Sequence, residues 1–273
     1  MDRGGNGRGG VPVARRGSSV FAARGPIGCS GDAPASRGPA PADAPPIRPV
    51  GWQAGGVTTD AQQHHRPEDA AARASFWEGA HHGKDVDSVS WWQSVPELSL
   101  DLVDRTGVTR DQGVIDVGAG WSTLTDHLVQ RGFTDVSAVD LSKTALDTIR
   151  ARLGDAGGSV ALEVADVLDL DMHRTYAVWH DRAVFHFLTE EDERDDYRAS
   201  LARHVEPGGW VVVATFGPDG PTTCSGLPIV RYSHEALAAE FPGYDLVGTA
   251  GDEHETPWGT VQQFTAVLLR RSA

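Results

Sequence analysis

The chain has 273 residues, a formal net charge of −14 and 2 cysteines. That length allows one large domain or two small ones with a real core, and the acidic balance disfavours nucleic acid and anionic membrane surfaces. Cys29 and Cys224, in unlike contexts, form no disulfide framework and suit a reducing, cytoplasmic setting, and no apolar run approaches the ~20 residues of a membrane span.

Residues 1–56 stand apart, with 13 Gly, 8 Pro, no Lys and no Glu. Their large apolar residues (Val20, Phe21, Ile27, Ile47, Trp52) follow no period, so this segment is expected to be a disordered extension. Its seven Arg and three Asp give +4, which leaves −18 on the rest of the chain. Arg15-Arg16 is not followed by the apolar region that a twin-arginine signal needs, and the Gly/Pro content argues against an amphipathic transit helix. Val57-Thr58-Thr59-Asp60 resembles a natural start, which mass spectrometry of the native N-terminus would test. A folded domain is expected over 57–273, with its core at about 75–269.

From about residue 70, strand and helix patterns alternate. Ser90-Trp91-Trp92-Gln93 comes first; adjacent Trp residues of a strand face opposite ways, so one covers a ligand or a neighbouring loop, or the arm packs on the sheet. Ser94-Val95-Pro96-Glu97 has capping-box spacing, with Leu98, Leu102 and Val103 on one face of the helix that it would open. Val114 to Val117 is a short apolar strand. Ser122 is placed to cap a helix striped by Leu124, Leu128 and Val129 and stopped at Gly132. Val136 to Val139 is the second strand. Ser142 caps a helix carrying Leu146, Ile149 and Leu153 and ending at Gly154. Val160 to Ala165 and Tyr176 to His180 are the third and fourth strands. An acidic-ended helix runs from Glu190 to about His204, and Gly208-Gly209 turns into the strand Trp210 to Thr215. After a short helix capped by Ser233, Tyr244 to Thr249 and Val261 to Leu269 are strands joined without a helix, so they pair as a hairpin. The pattern predicts an α/β fold: a doubly wound, seven-stranded, mostly parallel sheet with an antiparallel last strand.

Asp116-Val117-Gly118-Ala119-Gly120-Trp121-Ser122 lies between a strand and a helix, the context of a nucleotide-binding glycine loop. Gly118 allows a sharp turn and Gly120 clears space for a ligand. The dinucleotide fingerprint needs a third glycine where this chain has Thr123. Asp116 would repel a pyrophosphate but suits an ammonium group. Asp140, 20 residues after Gly120, ends the second strand, where an acid accepts both ribose hydroxyls; the alternative is a plain strand-end turn residue. Asp166 ends the third strand, where it meets an adenine amino group beside the Val167 amide or merely caps a turn.

Together these residues resemble the cofactor motifs of class I S-adenosylmethionine-dependent methyltransferases, over about residues 75–269. Trp179-His180-Asp181-Arg182-Ala183-Val184-Phe185-His186-Phe187 narrows the likeness. So do Thr215 to Pro221, Cys224 to Pro228, Arg231-Tyr232, and His254-x-Thr256-Pro257-x-Gly259 with Gln262 and Phe264. These segments are similar to bacterial relatives of the mitochondrial citrate synthase lysine methyltransferase. The resemblance implies S-adenosylmethionine as cofactor, with Asp116, Gly118, Ala119, Gly120, Asp140, Leu141, Asp166 and Val167 around it.

On the acceptor side, His180, Asp181 and Arg182 fall at the end of the fourth strand, beside the crevice. Asp181 is expected to orient or deprotonate an acceptor amine, with His180 as a second catalytic candidate. Arg182 would clamp a carboxylate or pair with Asp181. The long connection Phe216 to Tyr232 is read as an ordered acceptor loop, with Arg231, Tyr232 and His254 as further substrate-binding candidates. His186 reads as core and Cys224 as a small buried residue rather than a nucleophile. His64-His65 and His81-His82 lack partners at ligand spacing and read as surface residues, so no metal site is expected. The function expected is methylation of an amine, including a protein lysine. Alternatives are a small-molecule O-, N- or S-methyltransferase, a silent cofactor-binding module, and a nicotinamide-dependent oxidoreductase, which Thr123 and Asp116 disfavour.

Overall fold

The computed structural model describes Pro67 and residues 69–272. The expectations for residues 1–56, Val57 and His64-His65 lie outside the described residues. The elements in chain order are α1 (Ala70–His81), α2 (Glu97–Arg105), β1 (Val114–Val117), α3 (Leu124–Gln130), β2 (Val136–Asp140), α4 (Lys143–Leu153) and β3 (Val160–Val164). They continue with β4 (Tyr176–Arg182), α5 (Glu191–His204), β5 (Val205–Phe216), the short pair β6 (Thr223–Cys224) and β7 (Leu227–Pro228), α6 (His234–Ala239), β8 (Tyr244–Glu255) and β9 (Val261–Arg271).

Seven strands form one sheet in the order β3-β2-β1-β4-β5-β9-β8. All neighbours are parallel except at β9, which runs antiparallel to both β5 and β8. The chain winds outward from β1 in both directions, so a crevice opens beyond the ends of β1 and β4, where ligands of such sheets sit. The central strands are buried on both faces: Val114, Ile115, Val117, Val178 and Trp179 are all fully shielded. That double burial explains why β1 is a continuous apolar run broken only by Asp116.

Local signals work where a hydroxyl meets a free helix amide. Ser142 accepts from the Ala145 amide and Ser233 from that of Ala236, opening α4 and α6 as expected. The capping box at Ser94 does not form. Helix α2 starts at Glu97 after Pro96 with no side-chain cap, because residues 90–94 stay outside the helix as a strap. The Ser94 carbonyl instead accepts from His127 at 3.1 Å and from the Thr123 hydroxyl. For α3 the cap position is Thr123 rather than Ser122, although the Ser122 hydroxyl still accepts from the Leu124 amide at 3.0 Å.

Helix α1 is an addition to the expected elements, capped by Asp69, which accepts from the Ala72 amide at 2.8 Å. Strand β4 extends two residues past its expected end, to Arg182. His180, Asp181 and Arg182 therefore alternate between sheet faces.

Candidate functional site

The loop after β1 turns through two glycines in left-handed conformations, Gly118 (φ +62°) and Gly120 (φ +50°). A Cβ on Gly118 would fall 2.0 Å from the Val184 Cγ2, so the loop fits against the turn after β4 only without a side chain there. The Gly120 amide donates to Asp140 Oδ2 at 2.8 Å, and the Ser142 amide donates to Asp140 Oδ1 at 2.7 Å. Asp140 thus ties the glycine loop to the start of α4. Each oxygen keeps a further lone pair. Burial pushes its carboxyl pKa up, and the two amides oppose that rise.

Asp116, at the bottom of the same crevice, is 2 % exposed. Its Oδ1 lies 2.7 Å from His180 Nδ1, directly across the β1–β4 pairing. His180 Nε2 lies 2.8 Å from Ser99 Oγ on α2. In the neutral imidazole, Nδ1–H donates to Asp116 and Nε2 accepts the Ser99 hydroxyl, so the ring has no nitrogen left for a substrate. His180 therefore positions Asp116 rather than meeting an acceptor. The other carboxylate oxygen, Asp116 Oδ2, is buried with no partner among the described residues. A buried unpaired carboxylate oxygen beside an open crevice marks a place for a cationic donor.

Helix α1 walls the crevice with Arg73, Trp77 and His81, one turn apart on one face. Arg73 pairs with Asp166 at 2.8 Å, while Asp166 Oδ1 accepts from the Leu168 amide at 3.1 Å. Asp166 thus has both the turn-capping role and an ion pair that the sequence reading lacked. Glu78 accepts from the Ser142 hydroxyl at 2.9 Å and from the Thr144 hydroxyl, which pins α1 to the start of α4. His81 is buried, its ring edge-on to Trp121 at 4.9 Å, which corrects its reading as a surface residue; His82 is exposed as expected. Of the two Trp residues, Trp91 lines the pocket, and both pack on the cluster around Trp121.

Arg182 dominates the opposite end. Its Nη1 donates to the Trp91 carbonyl at 3.1 Å and its guanidinium stacks on the Phe264 ring at 4.3 Å. Burial lowers its pKa to about 10, which leaves it charged at neutral pH. Beside it Cys224 is 8 % exposed, and burial pushes the thiol up to about 11, so it is not a thiolate nucleophile. Ala183, which lines the same pocket, holds the left-handed conformation at φ +70°.

Several acceptor-side expectations need correction. Asp181 faces the opposite side of the sheet, fully buried, and accepts from the Val184 amide (2.9 Å), the Phe185 amide (3.1 Å) and the Tyr197 hydroxyl (2.7 Å). It neither lines the pocket nor pairs with Arg182; it holds the turn that carries Val184 against the glycine loop. Burial raises its carboxyl to about 6. Arg231 donates to the carbonyls of Pro218 (2.6 Å) and Gly220 (3.0 Å) and so braces the long loop from within. Tyr232 lies in the core against Phe185, with ring centroids 5.8 Å apart. His254 lies behind the pocket wall, its Nε2 2.7 Å from the Ser90 carbonyl, and steadies the strap. His186 is core, as expected, and burial lowers its pKa to about 3. The expected cofactor residues Asp116, Gly118, Ala119, Gly120, Asp140, Leu141, Asp166 and Val167 all line one pocket together with His180 and Arg182. Among the described residues, no cluster of His, Cys, Asp and Glu has metal-binding geometry.

The pocket holds about 1410 Å³ of empty space, its mouth included. It is roofed by α1, the strap 90–93 and the β6–β7 hairpin. Ser99, Arg73, Trp77, Glu78 and Ser225 are the site residues that sequence reasoning missed. Only the α1 group had a local signal, the Asp69 cap before an Ala-rich run.

A family model described as a methyltransferase domain matches residues 114–209. The ubiquinone biosynthesis O-methyltransferase of Thiobacillus denitrificans is 33% identical over 153 residues, 54% of this chain. The chain spans 63% of that relative's length. The dTDP-3-amino-3,4,6-trideoxy-alpha-D-glucopyranose N,N-dimethyltransferase of Streptomyces venezuelae is 33% identical over 181 residues, 62% of this chain and 72% of the relative. Among solved structures, the Burkholderia thailandensis 1,6-didemethyltoxoflavin-N1-methyltransferase, solved with 1,6-didemethyltoxoflavin and S-adenosylhomocysteine, superposes with a TM-score of 0.58 at 22% identity. That match covers 77% of this chain and 92% of the other, and shows a shared fold.

Proposed function

The chain belongs to the class I S-adenosylmethionine-dependent methyltransferases, and from that premise we propose that it methylates the nitrogen of a small-molecule amine. The cofactor supplies an electrophilic methyl on a sulfonium with a good leaving group. The residues present suit it. Asp116 Oδ2, held in place through His180 and Ser99, takes the methionine ammonium. Asp140 offers its remaining lone pairs to the ribose hydroxyls. Asp166 and the Val167 amide face the adenine, with Leu141 against it and Gly118, Ala119 and Gly120 giving the backbone close approach.

The observation that carries the amine reading is the character of the acceptor end. It is roofed and walled by Phe187, Leu227 and Cys224, with Arg182 among its lining residues. Burial favours the neutral form of an amine, which is the nucleophilic form. The protein then needs only to align and desolvate the nitrogen, and no carboxylate base is required. Loss of Asp181 from the acceptor side fits that scheme.

The roof supports a small acceptor over a protein lysine, and with it weakens the narrower likeness to the citrate synthase lysine methyltransferase. The Streptomyces relative is named for N,N-dimethylation of an amino sugar, which is in line with this reading. A second reading, transfer to an ionised oxygen, draws on the O-methyltransferase named among the relatives and on Arg182, which would also favour an oxyanion.

The deciding experiment supplies methyl-labelled cofactor to cell lysate and separates protein from small molecules. Label on nitrogen in the small-molecule fraction is expected. Label confined to protein, or to oxygen, would overturn the proposal.

A further inference from the structure

Arg182 is a cation with a shielded, unpartnered hydrogen-bonding edge. Its Nη1 is committed to the Trp91 carbonyl, but Nε and Nη2 are buried with no partner among the described residues. Those two nitrogens form one side of the guanidinium fork, the side that grips both oxygens of a carboxylate. No carboxylate lies within 4.0 Å of Arg182 among the described residues, although Asp252 and Asp116 are near enough to favour its charge. Buried charges are otherwise paired. The pocket's other guanidinium, Arg73, follows that rule by pairing with Asp166 at 2.8 Å.

The surroundings hold the fork still. Phe264 stacks beneath it at 4.3 Å and the strap carbonyl fixes one end, so little rotamer freedom remains to be lost on binding. Ser225 lines the same pocket with a buried hydroxyl beside the Cys224 thiol, and it holds a left-handed conformation (φ +51°) that a residue other than glycine seldom adopts.

We propose that Arg182 is the receptor for a carboxylate carried by the methyl acceptor, so that the acceptor is an amine of the amino-acid type, with Ser225 as an additional hydrogen-bonding group. This rests on the amine reading above. The carboxylate completes the fork and fixes the direction from which the amine nitrogen meets the methyl group.

The test uses calorimetry on full-length protein saturated with S-adenosylhomocysteine, with 3-phenylpropionate as the carboxylate probe and 3-phenylpropanamide as its neutral counterpart. The acid is expected to bind about tenfold or more tightly than the amide. Arg182→Gln should remove that preference while S-adenosylhomocysteine affinity stays within about twofold. Arg182→Lys, which keeps the charge without the fork, should give an intermediate preference; it also covers the case in which the Gln variant fails to fold. Equal binding of acid and amide by wild-type protein would overturn the proposal. So would a tenfold loss of S-adenosylhomocysteine affinity in Arg182→Lys, because the guanidinium would then serve the cofactor's own carboxylate. Transfer of labelled methyl is then compared between phenylalanine and phenethylamine. Carboxylate binding through Arg182 with label passing only to oxygen or protein acceptors would refute the amine reading and leave the anion site standing.

Discussion

Asp116 and Asp181 sit on neighbouring strands one step out of register, which sends their carboxylates to opposite faces of the sheet. One keeps a free oxygen in the crevice, while the other is spent entirely on the Val184–Phe185 turn and Tyr197. Asp181 therefore governs stability rather than catalysis. Its carboxyl is raised by burial from 3.8 to about 6. A raised acid favours the folded state fully below about pH 4, and that contribution is lost as pH climbs through 6. The difference in melting temperature between wild type and Asp181→Asn should therefore fall between pH 4 and 6.5 and level off above. The change corresponds to at most about 3 kcal/mol. A flat difference across that range would mean that Asp181 is not raised. Gly118→Ala places a methyl 2.0 Å from Val184 and demands φ +62° of a residue with a side chain. It should weaken cofactor binding at least tenfold and lower stability by about 1–3 kcal/mol, measured by calorimetry and thermal melting. Which residue types carry the cofactor site was readable from the glycine loop and the acids at strand ends. Which face each β4 side chain takes was not, because two extra strand residues and the alternation of sides decide it.

Helix α1 shows how a ligand-facing element escapes a search for apolar periodicity. Its inward stripe is Arg73, Trp77 and His81, chosen for a polar pocket rather than a hydrophobic core, so no amphipathic period appears. Two anchors hold it: Arg73 to Asp166, and Glu78 to the Ser142 and Thr144 hydroxyls. The Arg73–Asp166 pair is mostly shielded, with side-chain exposures of 22% and 11%. Arg73→Ala should raise the S-adenosylmethionine Kd by about five- to tenfold, chiefly through faster dissociation, because the pair contributes about 1 kcal/mol and helps close the roof. Stopped-flow displacement measures this directly; an unchanged off-rate would show that α1 does not confine the cofactor. The strap fails as a predicted helix start for a similar reason: Ser94 spends its carbonyl on α3 and residues 90–93 cross the pocket instead of coiling. By contrast, Ser142 and Ser233 were readable caps because nothing but their own helices competes for them.

The order of strands follows from the chain's own alternation. Helices α3, α4 and α5 join β1 to β2, β2 to β3 and β4 to β5, which pair in parallel, and the direct β8–β9 turn forces the antiparallel strand between β5 and β8. That topology gathers Asp116, Asp140, Asp166 and Arg182 at one end of the sheet from four separate strands or their ends. The Gly/Pro-rich residues 1–56 carry no core-forming pattern. We therefore expect their deletion to leave melting temperature and cofactor affinity unchanged, and a clear loss of either would show that they contribute to the fold.

The most direct measurement is calorimetric titration of purified protein with S-adenosylmethionine, S-adenosylhomocysteine and NAD, on wild type and Asp140→Ala. Both adenosyl ligands should bind wild type in the micromolar range and NAD should not. Asp140→Ala should weaken the adenosyl ligands by about 1.5–3 kcal/mol, because the ribose loses its acceptor and the Gly120 and Ser142 amides lose theirs. Tight NAD binding without S-adenosylmethionine binding, or undiminished affinity in Asp140→Ala, would contradict the site described for this chain.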